Sequence, residues 1–407
     1  MVSKTLRKIS KRVSVFQPSP HRKLVAKVDE LIRAGREVYS FSAGQPGLPP
    51  AEEVIRKTFE HALQDPFNHY RYMSTRGMMQ LREALSQDLK KYGGIDVPPS
   101  RIMITSGGVE GFNLALAVTT DPGDEIVLLD PTYSIYWDLA KYLQLRVKSC
   151  PQLVENSFQP HDECLEQVIT KDTAAIVVVS PDNPTSRILS EKKLRLIADL
   201  ASDNDVWVIY DEAYKHIVYE GQHVWIHNYG DMPERLISVN SFSKDIAIPG
   251  FRLGYTYGPE RIINEMAKLK GITTISSSVP AQWFAYYALT TGAKERYLKK
   301  VLPIYRSRRD AAYNAVRKYL PEAKVWKPPA SMYLFPDLSP YLEKLGMDDV
   351  TFAYQLADAK GVVVIPGSIF GEAGKNHLRL TFVTQPEERL EKGISLIAEF
   401  IEEKESR

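Results

Sequence analysis

The sequence predicts an α/β protein whose main sheet is largely parallel and covered by helices on both faces. Short, continuously apolar segments recur at wide spacing, as in AAIVVVS, VWVIYDE, LISVNS and RLGYTYG. Strands of this kind are buried on both faces. Between two of them, Leu194, Ile197, Leu200 and Ala201 recur at three- and four-residue steps, as the buried face of a helix requires. This alternation of strands and helices is typical of parallel sheets.

The remaining elements fit the same plan. The segment RIMIT (101–105) is predicted as a strand, and the turn SGGVEG and a helix containing FNLALAV follow it. The next strand is EIVLLD (125–130), and TYSIYWDLAKYL is the next helix. After about Arg261 the pattern changes to long, charge-rich helical segments, then to the short strands in VVVIPG and HLRLTF, and then to a final helix.

The length indicates two domains, because 407 residues are too many for one compact core. We expect an N-terminal arm and small-domain segment over residues 1–45. A large domain should cover 46–290, and a smaller α+β domain should cover 291–407.

Composition excludes several classes of protein. The formal charge is only +2, so no bulk electrostatic attraction to nucleic acid or to an acidic membrane is expected. No apolar run approaches the roughly 20 residues that span a bilayer. The two cysteines, Cys150 and Cys164, predict neither a disulfide framework nor a cysteine-based zinc site, and they fit a reducing compartment such as the cytoplasm.

The first twelve residues, MVSKTLRKISKR, hold five basic residues and no acidic ones. They lack the apolar core of a secretory signal and are too short for a DNA-binding domain. Two interpretations stay open: a targeting or nucleic-acid segment, and a solvated or subunit-crossing arm, which we favour.

The chemistry is concentrated in SVNSFSKDIAIPGFRLGY, where Lys244 follows the apolar strand LISV and Arg252 comes eight residues later. A buried lysine is costly unless it is paired or neutral. Lys244 therefore either marks the end of the strand or is a reactive amine.

Three more features occur at strand ends. SGGVEG offers exposed amides at a helix N-terminus, which is an anion site. Asp211 ends the strand VWVIYD, and Asn183 lies in SPDNPTS just after AAIVVV. Taken singly, these features are common turns and helix caps. Together with Lys244 and Arg252 they predict a site for a phosphorylated cofactor with a carbonyl, to which the lysine forms a Schiff base. Pyridoxal 5′-phosphate is the cofactor that needs this set.

With these motifs the chain resembles the class I/II aminotransferases, which are fold-type I pyridoxal-phosphate-dependent enzymes. The resemblance runs from FSAGQPGLP at Phe41 to HLRLTF at Phe382, and SFSKDIAIPGFRLGY is its most specific part. It implies a mainly parallel sheet of the seven-stranded type between helices, and a smaller C-terminal α+β domain.

The resemblance also implies a role for each site residue. Lys244 holds the cofactor and later moves the substrate's Cα proton, Asp211 pairs with the pyridine nitrogen, and Tyr214 and Asn183 bind the phenolic oxygen. The remaining implied cofactor-binding positions are Gly107, Gly108, Val109, Tyr133, Ser241, Ser243, Arg252 and Tyr72. For the substrate, the implied positions are Gly44, Asn183 and Arg379, the last as the clamp for the α-carboxylate.

Tyr72 lies five residues before Gly77, the family spacing for a tyrosine that reaches the partner subunit's phosphate, and Tyr70 is an alternative. The shared site implies a homodimer.

The chain departs from the family in two places. Ser186 stands where the family's N-P-T-G has glycine, which we expect to loosen the turn, and PPASMYLF alters the wall on the substrate side. His223 and His227 are four residues apart, but the surrounding sequence favours a loop, so we expect no metal site.

The substrate is less defined. The expected lysine and partner arginine for a distal carboxylate correspond to Val109 and Thr274, neither of which is charged. An aromatic or apolar pocket could be lined by Tyr136, Trp137 and Tyr333, although for any one of them ordinary core packing is the favoured interpretation. We therefore favour neutral or aromatic amino donors with 2-oxoglutarate as acceptor.

Arg22 and Lys23 lie in an N-terminal segment that closes over the site in related enzymes, and they keep aspartate and 2-aminoadipate open as donors. Two further alternatives are a lyase, synthase or cyclase on the same fold, and a non-catalytic regulatory protein. The complete set of lysine, aspartate and arginine argues against the latter.

Overall fold

A computed structural model describes residues 9–14, 16 and 19–406. Residues 1–8, most of the basic N-terminal segment, lie outside the described residues, so the role of that segment stays a prediction. The strands are β1 (Tyr39–Ser40), β2 (Ile102–Thr105), β3 (Glu125–Asp130), β4 (Arg146–Pro151), β5 (Thr173–Val179), β6 (Trp207–Asp211), β7 (Leu236–Ser241), β8 (Gly254–Tyr257), β9 (Tyr333–Leu334), β10 (Val362–Val363), β11 (Ile365–Pro366) and β12 (Leu378–Thr381).

The α-helices of the described residues are α1 (Lys11–Ser14), α2 (Pro20–Arg33), α3 (Glu52–Gln64), α4 (Pro66–Tyr70), α5 (Met79–Gly93), α6 (Gly108–Thr119), α7 (Ser134–Tyr142), α8 (Asp162–Val168), α9 (Glu191–Asn204), α10 (Met232–Arg235), α11 (Phe242–Asp245), α12 (Glu260–Thr273), α13 (Val279–Thr290), α14 (Ala293–Tyr319), α15 (Ser339–Leu345), α16 (Asp349–Lys360) and α17 (Glu387–Glu405). None of these helices combines the length and the apolar character needed to cross a bilayer.

A seven-stranded sheet organises the middle of the chain, in the order β2-β8-β7-β6-β5-β3-β4. The five strands from β7 to β4 run parallel, whereas β8 pairs antiparallel with both β7 and β2. The predicted α/β fold with a mainly parallel seven-stranded sheet is confirmed.

Helices cover both faces of this sheet because successive strand residues point to opposite sides. In β3, Ile126 belongs to an apolar cluster with residues of α6, α7 and α12 on one face, and Val127 belongs to a cluster with residues of α5, α9 and α13 on the other. The continuous apolar strands that the sequence shows are thus buried on both sides. In α9, Leu194 and Ile197 are fully buried, as their spacing predicts.

A separate apolar core joins the start of the chain to its C-terminal part. The residues that contribute from the start include Leu24, Leu31 and Phe41, which pack with side chains of α14, α16 and α17. The short strand β1 pairs in parallel with β10, and β11, β12 and β9 form an antiparallel sheet. The exact division into domains at 45/46 and 290/291 stays a prediction.

The two cysteines differ from expectation. Cys150 of β4 and Cys164 of α8 form a disulfide, with their Cα atoms 5.9 Å apart. Disulfides are rare in reducing compartments, so this pairing weighs against the interpretation we drew from the cysteine count. The sequence did not indicate it because the contact between β4 and α8 is a property of the fold.

His223 does not share a helix turn with His227. Its Nε2 lies 2.7 Å from the buried carboxylate of Glu212, and Tyr210 stacks on its ring. Among the described residues, no cluster of three histidine, cysteine or acidic side chains suits a metal ion.

Candidate active site

One cavity lies at the carboxyl ends of the central parallel strands, where ligands bind in open α/β sheets. It is reached by the ends of β6 and β7 and by the loop after β5. The positions singled out in the sequence that line it are Gly44, Gly108, Val109, Tyr133, Tyr136, Asn183, Asp211, Tyr214, Ser241, Ser243, Lys244, Arg252, Tyr333 and Arg379. His21 and Ala213 complete the lining, whereas Gly107 and Tyr72 are not part of it.

Lys244 projects into this cavity from the short helix α11, directly after β7. Its Nζ donates a hydrogen bond to the carbonyl oxygen of Gly44 at 2.5 Å and lies 5.4 Å from the centre of the Tyr214 ring. Burial, and then the positive charge of Arg379, lower the pKa of Lys244 to about 8. A larger share of this amine is therefore neutral near pH 7 than for an ordinary lysine, and a neutral amine is a nucleophile.

Asp211 is buried at the end of β6. Its Oδ1 accepts a hydrogen bond from the backbone N–H of Ala213 at 2.9 Å, and its Oδ2 accepts one from the hydroxyl of Tyr136. Burial raises the pKa of this carboxyl, and the hydrogen bond from Tyr136 opposes that rise.

Two tyrosines close one wall. The hydroxyls of Tyr214 and Tyr333 lie 2.6 Å apart, and the ring of Tyr333 packs under the guanidinium of Arg379 at 4.6 Å. A Cβ atom at Gly44 would lie only 2.6 Å from the Tyr333 hydroxyl, so the close approach of the backbone here requires glycine.

Arg379 is a buried cation that forms no ion pair with the described residues. Its Nη1 donates to Asn183 Oδ1 at 3.2 Å and its Nη2 to the Ser42 carbonyl at 2.8 Å, while its Nε has no hydrogen-bond partner in the described part of the chain. No carboxylate of the described residues forms an ion pair with it. Because a buried charge is costly when unpaired, this guanidinium is prepared for an incoming anion.

The opposite end of the cavity is built to receive an anion. Gly107, with φ of +85°, caps α6, so that the first amides of this 12-residue helix are free to bind. A Cβ atom at Gly107 would lie only 2.6 Å from Nη2 of Arg252, so this guanidinium is directly beside the turn. Ser241 caps α11 by accepting a hydrogen bond from the amide of Ser243 at 3.2 Å.

Glu110, which the sequence analysis did not single out, stabilises the turn between β2 and α6. Its Oε2 accepts from the backbone N–H of Ser106 at 2.6 Å and from the fully buried Lys270 at 2.7 Å, and its Oε1 accepts from Thr274. The spacing of Ser106 and Glu110 in SGGVE was an available signal, since an acidic residue in the first turn commonly binds the amide before the helix.

Comparison with known proteins supports one family. The family description "Aminotransferase class I and II" matches residues 36–397. The chain is 33% identical over 395 residues to an aspartate/prephenate aminotransferase of Thermus thermophilus, covering 97% of this chain and 98% of that protein. The chain belongs to the class I and II aminotransferase family.

Two further aminotransferases show how closely the fold is shared and how varied the named substrates are. An aromatic-amino-acid aminotransferase of Thermococcus litoralis is 29% identical, over 97% of this chain and 99% of that protein. A solved Thermus thermophilus aspartate aminotransferase with maleate superposes with a TM-score of 0.89 at 32% identity, over 97% of this chain and all of that one. Our protein is therefore an aminotransferase.

Helix α2 of this aminotransferase brings to the cavity a residue that the sequence had not indicated. His21 lines the cavity, whereas Arg22 and Lys23 on the same helix α2 are exposed and do not. Burial, and then the charge of Arg379, lower the pKa of His21 to about 4. The signal was the three-residue step from His21 to the buried Leu24, which places both on the inner face.

The aromatic candidates for the pocket differ in position. Tyr136 and Tyr333 line the cavity, but Trp137 does not; its indole N–H donates to the carbonyl of Phe370 at 2.9 Å. Ser186 adopts a left-handed φ of 60°, and its hydroxyl oxygen accepts from the amide of Tyr333 at 3.1 Å. The turn that we expected to be loosened is closed by a bond from the Ser186 amide to the Asp182 carbonyl at 3.2 Å, and the Tyr333 bond ties it to β9.

Tyr70 and Tyr72 lie apart from the cavity, with exposed fractions of 69% and 82%. Both border a separate surface depression formed with residues 276–280. Neither reaches the site of its own chain.

Proposed function

We propose that this aminotransferase uses pyridoxal 5′-phosphate to transfer the amino group of an L-amino acid to a 2-oxo acid such as 2-oxoglutarate. The bound cofactor would supply an electron sink for negative charge at the substrate's Cα. The observation that carries the proposal is the convergence on one cavity of an amine with a lowered pKa, a buried carboxylate and a buried guanidinium without an anion, contributed by Lys244, Asp211 and Arg379.

The residues around the cavity fit the cofactor from end to end. The first amides of α6, together with Ser241, Ser243 and Arg252, suit the phosphate, because helix N-termini and guanidinium groups both bind its oxygens. Tyr133 would lie against one face of the ring. Asp211 would hold a proton on the ring nitrogen.

The reacting groups lie on the other side. Lys244 would bind the cofactor's carbonyl carbon and afterwards move the proton from the substrate's Cα. Asn183 and Tyr214 would orient the ring through its phenolic oxygen. Arg379 would bind both oxygens of the substrate's α-carboxylate, and Gly44 leaves room for it.

For the amino donor we propose a neutral or aromatic amino acid. The cationic side chains that line the cavity are Lys244, Arg252 and Arg379, and all three have roles in this scheme, so none remains for a distal carboxylate among the described residues. His21 is neutral at ordinary pH because its pKa is about 4. Burying an unpaired distal carboxylate costs several kcal/mol, roughly. The names of the two relatives, one acting on aspartate and prephenate and one on aromatic amino acids, are consistent with either donor class.

We also propose a homodimer in the cytoplasm. The exposed Tyr70 and Tyr72 support a role in a neighbouring subunit, where one of them would reach the phosphate. The Cys150–Cys164 disulfide counts against a reducing compartment. Thiol titration of protein taken from its own cells, with and without reductant, distinguishes a reducing compartment, with two free thiols, from an oxidising one, with none before reduction.

A single-turnover reaction tests the proposed function. The cofactor-loaded enzyme is mixed with one amino acid and no acceptor, and the products are identified. We expect one equivalent of the corresponding 2-oxo acid per site and no free ammonia. When 2-oxoglutarate is then added, the amino group should be transferred to it, which gives glutamate. Release of ammonia or cleavage of the side chain would instead establish lyase chemistry. Ratios of kcat/KM for aspartate, alanine, phenylalanine and 2-aminoadipate then define the donor class.

A further inference from the structure

Tyr136 makes a contact that the scheme above does not use. It is the third residue of α7 and is 2% exposed. Its hydroxyl donates a hydrogen bond to Asp211 Oδ2. The described residues offer this hydroxyl no second hydrogen-bond partner. Asp211 lies on β6, so the bond joins a helix covering the sheet to the end of a central strand.

The bond fixes which partner carries the negative charge. Burial, followed by the charge of Asp211, raises the pKa of Tyr136 well above its ordinary value, so this hydroxyl remains a donor. Asp211 then accepts at both of its oxygens, from Tyr136 and from the Ala213 amide, and two accepted hydrogen bonds favour the ionised carboxylate. No lysine or arginine of the described chain forms an ion pair with Asp211, so Tyr136 and the Ala213 amide provide its hydrogen bonds.

Packing holds the phenol in place. The Tyr136 ring lies 4.0 Å from the Phe112 ring, centre to centre, and meets the Tyr133 ring edge-on at 5.5 Å and 86°. Tyr133 lines the same cavity. One side chain therefore contacts both the residue proposed for the face of the cofactor ring and the acid proposed for its nitrogen.

We propose that Tyr136 is a positioning residue that keeps Asp211 ionised and aimed at the ring nitrogen of the cofactor, and this inference rests on the proposed function. With one oxygen held by the Ala213 amide and the other by Tyr136, the carboxylate has a single orientation. Its remaining lone pairs are available to a protonated ring nitrogen. An ionised acceptor that is held in one orientation binds a charged donor more strongly than a neutral acceptor does. Tyr136 should therefore strengthen cofactor binding through the ring nitrogen alone.

The test compares two ligands of the apo-enzyme: pyridoxal 5′-phosphate and its analogue with carbon in place of the ring nitrogen. The unmodified protein should bind the former more tightly. Tyr136→Phe should reduce that preference roughly tenfold to a hundredfold, the loss expected for one hydrogen bond to a buried charged group. Binding of the analogue should change little. Tyr210→Phe is the matched control, since it removes a buried hydroxyl from the residue next to Asp211, where it donates to the Val224 carbonyl at 2.9 Å.

A second measurement distinguishes a specific effect of Tyr136→Phe from a general loss of folding. In an Asp211→Asn background, the same substitution should leave the affinity for pyridoxal 5′-phosphate within about twofold. Equal losses of affinity for both ligands, or the same loss with and without Asp211, would overturn the inference and leave Tyr136 as packing. If the unmodified protein showed no preference between the ligands, the role proposed for Asp211 would fail as well.

Discussion

The guanidinium of Arg379 donates a hydrogen bond to the side-chain oxygen of Asn183 at 3.2 Å, across 196 residues of sequence. The residue proposed to clamp the substrate thus directly contacts a residue proposed to orient the cofactor. The contact also fixes the plane of the guanidinium, since its other terminal nitrogen is bonded to the Ser42 carbonyl at 2.8 Å.

Replacing this arginine should affect amino and oxo acids alike. Arg379→Lys keeps the charge but loses the planar pair of donors, so we expect KM for both substrates to rise by about tenfold or more, with the visible spectrum of the cofactor unchanged. Arg389→Lys is the control, because Arg389 binds Glu37 at the surface. An effect on only one substrate class would show that Arg379 reads the side chain.

Gly44 should tolerate no side chain. A Cβ there would lie 2.6 Å from the hydroxyl of Tyr333 and would displace Tyr333 or the backbone that accepts from Lys244. We expect Gly44→Ala to lower kcat/KM by about a hundredfold, the scale of a misplacement of about 1 Å. Gly271→Ala is the matched control, since nothing lies within 4 Å of a Cβ at that position. Unchanged kinetics for Gly44→Ala would exclude the close approach.

The capture of cofactor by the apo-enzyme should depend on pH with a midpoint near 8. Below that value Lys244 is protonated and cannot act as a nucleophile, so the covalent rate should rise with pH and level off above about pH 8. Since the charge of Arg379 contributes to the lowered pKa, Arg379→Gln should move the midpoint upward. A midpoint near 10.5, the ordinary lysine value, would contradict the burial of this amine.

Helix α2 should influence substrate binding through His21 and not through its charged neighbours. We expect His21→Ala to raise KM severalfold, because its ring lines the cavity, and Arg22→Ala to leave kcat/KM within about twofold, because Arg22 is exposed. A preference for aspartate of tenfold or more that Arg22→Ala abolished would refute the neutral-donor proposal and make this helix the reader of a distal carboxylate.

Lys244→Ala should separate binding from chemistry. The phosphate contacts proposed for α6 and Arg252 would remain, so the variant should still bind cofactor, but turnover should fall by about a thousandfold or more, as expected for loss of a catalytic base. Lys215→Ala would be an unsuitable control because Lys215 is buried against Asn240 and Tyr255. Lys299→Ala, at an exposed position of α14, serves instead. Near-normal turnover by purified Lys244→Ala would end this assignment.

The sequence was sufficient for the sheet and for most of the cavity lining. Strands such as AAIVVV are buried on both faces, and that pattern predicts a parallel sheet directly. Lys244, Asp211 and Asn183 could be placed together because parallel strands end at one edge. Such residues carry their position in the local pattern.

Contacts between distant segments could not be predicted in this way. His21 reaches the cavity only because α2 packs on the C-terminal core, and neighbouring charges drew attention to Arg22 and Lys23 instead. Tyr136 was interpretable as ordinary packing until its hydroxyl was found on Asp211. Ser186 ties its turn to β9 by accepting a hydrogen bond from the amide of Tyr333, which is 147 residues away.

Covalent trapping of the cofactor tests the central claim most directly. The enzyme loaded with pyridoxal 5′-phosphate is reduced with borohydride and digested, and the modified peptide is sequenced by mass spectrometry. We predict loss of the visible absorption band and a single modified residue, Lys244, with no modification of Lys244→Ala. Modification of another lysine such as Lys215, or none at all in an active enzyme, would contradict the account.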